Sequence, residues 1–351
     1  MLPITPNRQS LLHRAILAGL LIFTCVGSTG CVTSILANKI TRAPNLQSTP
    51  TQFRQFAAYR PVLDQQYYSL ALKIPVSPHP ALISVGVIEP GDYQLKHELK
   101  STAKDHKTVV SLDMSFAKRA ETASPTSPKA TIFVLHGVMM AKESMLHWGF
   151  FLAEKGYRVV LVDLRGHGQS SGDLISYGAW EPADLSQVLD ELTRRQVIVG
   201  RVGVLGLSYG GAVAIDWAAR DPRVTSVVAL APFSDARKAI DEFAHALMPT
   251  VVSHVSPEKM AAALALAAKR GQFTWEETDV VAAAHQLRQP ILLFHGSNDQ
   301  WIPLHHSQTI KAAAPSGSAL RVGQGDHLTL SVRLAPIAEQ ASAWFDKALA
   351  F

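Results

Sequence analysis

Six short apolar runs recur through the C-terminal two thirds of the chain: Ile132 to Leu135, Val159 to Val162, Val202 to Leu205, Val227 to Leu230, Ile291 to Phe294 and Ala319 to Val322. Each is too short for a core helix, and most are apolar without alternation. Strands apolar on both faces belong to a parallel sheet with helices packed on both sides. Helical stretches lie between or after the runs, at Lys142 to Glu154, Ala183 to Arg195, Tyr209 to Ala219, Leu304 to Ala313 and Ala335 to Ala348. The chain therefore reads as an α/β fold. In such sheets ligands bind at the carboxyl ends of the strands, so functional residues are expected just after the runs.

The third run leads into Gly206-Leu207-Ser208-Tyr209-Gly210 and then a helical stretch. Glycines two residues either side of Ser208 let the backbone bend sharply from strand to helix, so that the hydroxyl projects and the next amide faces the same point. After the first run come His136-Gly137-Val138-Met139, where Gly137 allows a tight turn. The backbone N–H of Val138 is the candidate for one half of an oxyanion hole and that of Tyr209 for the other, with Met139 an open alternative to Val138. After the fourth and fifth runs stand Asp235 and Asp299, both placed to orient an imidazole. His327 is the only histidine after the last run; His305 and His306 lie in the helical stretch that follows Asp299.

These motifs resemble the α/β-hydrolase superfamily, and the order Ser208, Asp299, His327 is the order its nucleophile-elbow fold uses. The resemblance covers about residues 90 to 351. It implies a mostly parallel sheet with a helical cap, a Ser208, Asp299, His327 triad, and an oxyanion motif at His136-Gly137. Gly296-Ser297-Asn298-Asp299-Gln300-Trp301-Ile302-Pro303 is similar to the family's acid loop, which favours Asp299 over Asp235. His136 is then structural, as the family's catalytic histidine comes last. The loop Asp163 to Ser170 resembles one whose role is mostly structural, with Asp163 and Arg165 able to pair. Residues 236 to 289 form a helical insertion where related enzymes place a cap; the uncharged face along Ala261 to Ala268 suits either cover for an apolar pocket or ordinary packing. The implied activity is hydrolysis of a carboxylic ester through an acyl-enzyme. A thioesterase, a peptidase or a non-catalytic binding module of the same fold remains an alternative. No cofactor is expected, because no metal-ligand cluster or phosphate-binding loop is apparent.

The N-terminus is of a different kind. Arg8 and Arg14 precede the apolar run Ala15 to Val26, then small residues and Cys31, which reads as a secretory signal over residues 1–30. The run is short for a bilayer span. Ser28-Thr29-Gly30-Cys31 resembles the bacterial lipobox, in which a cysteine carries lipid after cleavage, although Ser28 stands where that motif prefers Leu. Ordinary cleavage and an uncleaved anchor are the other readings. Cys25 and Cys31 are the only cysteines, so cleavage before Cys31 leaves one thiol and excludes an internal disulfide. Val32, not Asp, follows Cys31, which by the resemblance favours the outer membrane of an envelope over the inner. Residues 31–80, with prolines at 44, 50, 61, 75, 78 and 80, read as a tether and packed extension ahead of a hydrolase domain at 81–351. Tyr93 to Leu99 and Val109 to Phe116 are expected as the opening antiparallel strands of the sheet. The formal charge of +5 loses Arg8 and Arg14 on cleavage, leaving 31 basic against 28 acidic residues in scattered positions, which is no nucleic-acid signature.

Overall fold

The computed structural model describes residues 29–47, 60–104, 107–118, 127–332 and 334–350. In chain order these form α1 (Thr29–Thr41), β1 (Leu70–Val76), β2 (Ala81–Ile88), β3 (Tyr93–Lys104), β4 (Lys107–Lys118), β5 (Thr131–Leu135), α2 (Leu146–Glu154), β6 (Arg158–Val162), α3 (Glu181–Arg194) and β7 (Val202–Leu207). There follow α4 (Tyr209–Arg220), β8 (Val224–Leu230), α5 (Ala236–Leu247), α6 (Pro249–Val252), α7 (Pro257–Gly271), α8 (Val280–Gln286), β9 (Ile291–Gly296), α9 (His305–Ala313), β10 (Ala319–Gly323), α10 (His327–Val332) and α11 (Leu334–Leu349).

Eight strands make one sheet in the order β1-β2-β6-β5-β7-β8-β9-β10. The strands from β6 to β10 run parallel, and β1 and β2 close one side antiparallel. This is the mostly parallel sheet predicted by the apolar runs, in the arrangement that the resemblance to α/β-hydrolases implies. The reason is visible in burial: every residue of β5, β7 and β9 is buried, whereas the edge strand β10 is not. Two apolar layers cover the sheet. One joins β-strand side chains to α3, α4 and α8, with Phe133 against Trp217; the other joins them to α2 and α11, with Trp148, Phe150 and Phe345 fully buried.

Several expectations are corrected. Tyr93–Lys104 and Lys107–Lys118 pair only with each other, as a separate two-stranded ribbon. The opening strands of the sheet are instead β1 and β2, the first of which precedes residue 81. Residues 29–41, expected as part of a signal and tether, form α1, whose Ala37 and Ile40 join Ala263 and Ala267 of α7 in the core. The uncharged face of α7 is thus spent on seating α1. Arg270 donates to Ser34 O and to Asn38 Oδ1, both at 2.9 Å, and to Ser34 Oγ at 2.7 Å. The far end of α1 is held by the loop after β6: Tyr177 Oη donates to Ile40 O at 2.6 Å and Ala43 N to Asp173 O at 2.8 Å. Within the insertion, α8 packs on α4 and α9 as an ordinary layer helix. Local signals set these helices. Asp235, Ser256 and Asp279 accept first-turn amides of α5, α7 and α8, and Pro257 opens α7.

No helix among the described residues is long and apolar enough to cross a membrane. Of the expected signal over residues 1–30, residues 1–28 lie outside the described residues and Thr29 and Gly30 begin α1.

Candidate active site

Ser208 sits between β7 and α4 with φ 53° and ψ −114°, a left-handed turn that side chains rarely adopt. Its amide donates to Leu230 O at 2.7 Å, fixing the turn against β8. The two flanking glycines are required sterically. A Cβ on Gly206 would overlap the Gly210 carbonyl, and one on Gly210 would come within 2.5 Å of His136 O. The elbow and the turn after β5 therefore touch backbone to backbone. Gly137 is part of the same approach, since a Cβ there would stand 3.6 Å from Ser208 Cβ. Val138 and Met139 form the following turn, with Met139 at φ 61° and Met140 N donating to Gly137 O at 3.2 Å. Tyr209 is the first residue of α4, where an amide has no partner within the helix ladder.

Asp299 and His327 follow β9 and β10, and the register of those strands brings them together: Asp299 Oδ2 lies 2.6 Å from His327 Nδ1. The other oxygen, Oδ1, accepts Trp301 N and Ile302 N, both at 2.9 Å. His295, on β9 itself, stands with Nε2 3.4 Å from Asp299 Oδ2. Burial would raise the Asp299 carboxyl, but the two imidazoles and the Ile302 amide outweigh it and hold the group well below the usual carboxylate range. A carboxylate facing Nδ1 favours the imidazole tautomer that carries its proton there and leaves Nε2 without one. Among the described residues no hydrogen bond joins Ser208 Oγ to His327. The Trp301 ring is 5.5 Å from the His327 ring, and Phe243 of α5 packs edge-on to Trp301 at 5.6 Å.

A buried polar layer supports the turns. His136 Nδ1 faces Gly137 O at 2.8 Å and its Nε2 accepts Leu164 N at 3.0 Å, so the ring ties the turn after β5 to the loop after β6. Burial lowers its basicity, only partly offset by Asp163. His167 packs 4.9 Å from His136 and is pulled down to about 3, first by burial and then by His136. Glu181 accepts from Ser176 N, Ser176 Oγ, Gly178 N and Tyr209 Oη at 2.6–3.0 Å, which anchors the residue after the elbow from behind. Burial, reinforced by Glu181, raises the Tyr209 phenol.

The anticipated Asp163–Arg165 pair does not form. Asp163 takes Lys142 Nζ at 2.8 Å and Lys142 N at 2.7 Å, while Arg165 pairs with Asp184 at 2.6 Å. Asp235, the rival acid, is the cap residue of α5. The sequence reading gives no role to His295, which directly follows the apolar run Ile291 to Phe294 and lies on β9. Asp216, on α4, is fully buried, and neither carboxylate oxygen has a hydrogen-bond partner among the described residues.

A family model described as serine aminopeptidase, S33, matches residues 126–275. The uncharacterized protein YqkD of Bacillus subtilis is 26% identical over 209 residues, 58% of this chain and 67% of that protein. The 2,6-dihydropseudooxynicotine hydrolase of Paenarthrobacter nicotinovorans is 26% identical over 226 residues, 62% of this chain and 58% of that protein, so the chain spans less than two thirds of this relative. Among solved structures, the Pyrococcus furiosus esterase Pf2001 superposes with a TM-score of 0.59 at 18% identity, over 82% of this chain and 95% of that one. The sheet order, the elbow and these likenesses together make the chain an α/β-hydrolase by fold.

Proposed function

We propose that the chain is a serine hydrolase that cleaves carboxylic esters bearing a hydrophobic acyl or alkyl group. The observation that carries the reading is the 2.6 Å contact between Asp299 and His327 on loops at the strand end that also presents Ser208. In this mechanism His327 Nε2 takes the Ser208 proton as Oγ attacks the carbonyl carbon. The amides of Tyr209 and of Val138, or Met139 in its place, hold the oxyanion. His327 then returns the proton to the leaving alkoxide, and water releases the acyl group by the same route. Trp301 and Phe243 beside the imidazole support an apolar group in the substrate.

Fluorophosphonate labelling read by intact mass tests the nucleophile: one adduct on the folded wild-type chain and none on Ser208→Ala is expected. Labelling that persists in the variant would overturn the assignment. The aminopeptidase description of the matching family favours a second reading, hydrolysis of an N-terminal peptide bond. p-Nitrophenyl esters of increasing acyl length, compared with aminoacyl p-nitroanilides, separate the two.

We further propose that the chain is exported and lipid-anchored at Cys31, facing the periplasm from an outer membrane. Arg8, Arg14, the apolar run and Ser28 to Cys31 support this reading. Cys31→Ala is expected to leave an unprocessed, unlipidated chain; unchanged processing and detergent partitioning would refute it.

A further inference from the structure

Away from the Ser208 site, a second cluster of chemically able side chains joins the cap to the body. His305 and His306 open α9, and both imidazoles reach the same carboxylate on α5: His305 Nε2 is 3.2 Å from Glu242 Oε1 and His306 Nε2 is 2.7 Å from Glu242 Oε2. We propose that Glu242, His305 and His306 form a binding site for a divalent transition cation of the zinc class.

Two imidazole nitrogens and one carboxylate form a donor set that zinc takes with a fourth, open position. All three ligand atoms lie within 4.8 Å of one another. Ligand atoms about 2.0–2.1 Å from a tetrahedral ion stand about 3.3 Å apart, so the observed 3.2 and 2.7 Å require only a small withdrawal of the Glu242 carboxylate. Glu242 is partly exposed and free to make it, and the half-exposed His305 gives the ion a path from solvent.

The far side of the buried ligand is also built. His306 Nδ1 lies 2.8 Å from Ser234 Oγ and 3.1 Å from Ser234 N. Without an ion, Nδ1 accepts the Ser234 amide and Nε2–H donates to Glu242. With an ion on Nε2, the proton moves to Nδ1, which gives up the bond from the Ser234 amide and donates instead to Ser234 Oγ, the kind of outer partner that metal-bound imidazoles take. The ion would staple α5 to α9 and so hold Phe243 against Trp301.

The test is calorimetric titration of zinc chloride into the tag-free full chain stripped with chelator, with His305→Ala and Glu242→Gln as variants. Both positions are outside the hydrolytic machinery, and circular dichroism checks that each variant is folded. One saturable site per chain is expected, weakened at least about tenfold in each variant and unchanged in Ser208→Ala. No saturable binding by the folded wild type up to about 1 mM zinc, or equal affinity in wild type and both variants, would overturn the proposal.

Discussion

At Asp299 four donors converge on two oxygens, from His327, His295 and the amides of Trp301 and Ile302. Asp299→Asn keeps the shape but presents an amide to His327 and favours the wrong tautomer. Ester turnover is expected to fall by about 10⁴-fold with the fold retained, as measured by steady-state kinetics alongside circular dichroism. His167 makes a different prediction. Its Nε2 is buried without a partner among the described residues, and the ring stays neutral in the native state down to about pH 3, whereas it protonates near 6.5 when unfolded. The unfolded chain then binds more protons below pH 6.5, so stability falls as pH drops through that window. Between pH 6.5 and 5 this site alone costs about 2 kcal/mol. His167→Asn should flatten that slope in urea denaturation at the two pH values, beyond whatever it costs at pH 7.5. The proposed triad of Ser208, Asp299 and His327 can be picked from the sequence because each residue stands after an apolar run, where a parallel sheet must display its loops. His295 and the Lys142–Asp163 pair cannot, since strand register and side-chain choice among several charges are decided by tertiary packing.

The elbow is the element on which the site depends most. Gly210→Ala would drive a Cβ to 2.5 Å from His136 O and 2.7 Å from Leu135 O, both backbone atoms that cannot swing aside. Overpacking of this kind costs roughly 1–3 kcal/mol, and the strain falls directly on Ser208. Loss of fluorophosphonate labelling and a lower melting temperature are expected together. In α7 the decisive residue is Arg270, whose three bonds hold Ser34 and Asn38 of α1. Arg270→Ala should speed hydrogen exchange in residues 29–41 while leaving that of β7 and α4 unchanged. Apolar runs and helical stretches located most of these elements to within a few residues. The sequence could not say that the apolar face of α7 receives α1, because an uncharged helical face has the same pattern whether it covers a pocket or another helix. Nor could alternation alone show that β3 and β4 pair with each other and leave the sheet edge to β1.

For the whole molecule the two apolar layers and the parallel sheet follow from composition and run spacing, and the fold class was legible throughout. The boundary was less so. Strand β1 has only a weak alternating pattern, and α1 lies in a stretch that reads as signal and tether. Removal of residues 1–47 is expected to lower the melting temperature by several degrees in scanning fluorimetry, a shift of about 1–2 kcal/mol in a domain of this size, because Ala263 and Ala267 lose the Ala37 and Ile40 side chains. An unchanged melting temperature would mean that α1 contributes nothing to the folded body. The placement of α1 also divides the cap. Tyr177 of the loop after β6 bonds the C-terminal end of that helix and Arg270 of α7 bonds it at Ser34 and Asn38, so α7 is tied to the body through α1. Within the rest of the insertion, Glu242 and Phe243 tie α5 to the body at His305, His306 and Trp301, and the exposed Leu247, Met248 and Val251 mark the stretch around α6 as the part left facing solvent.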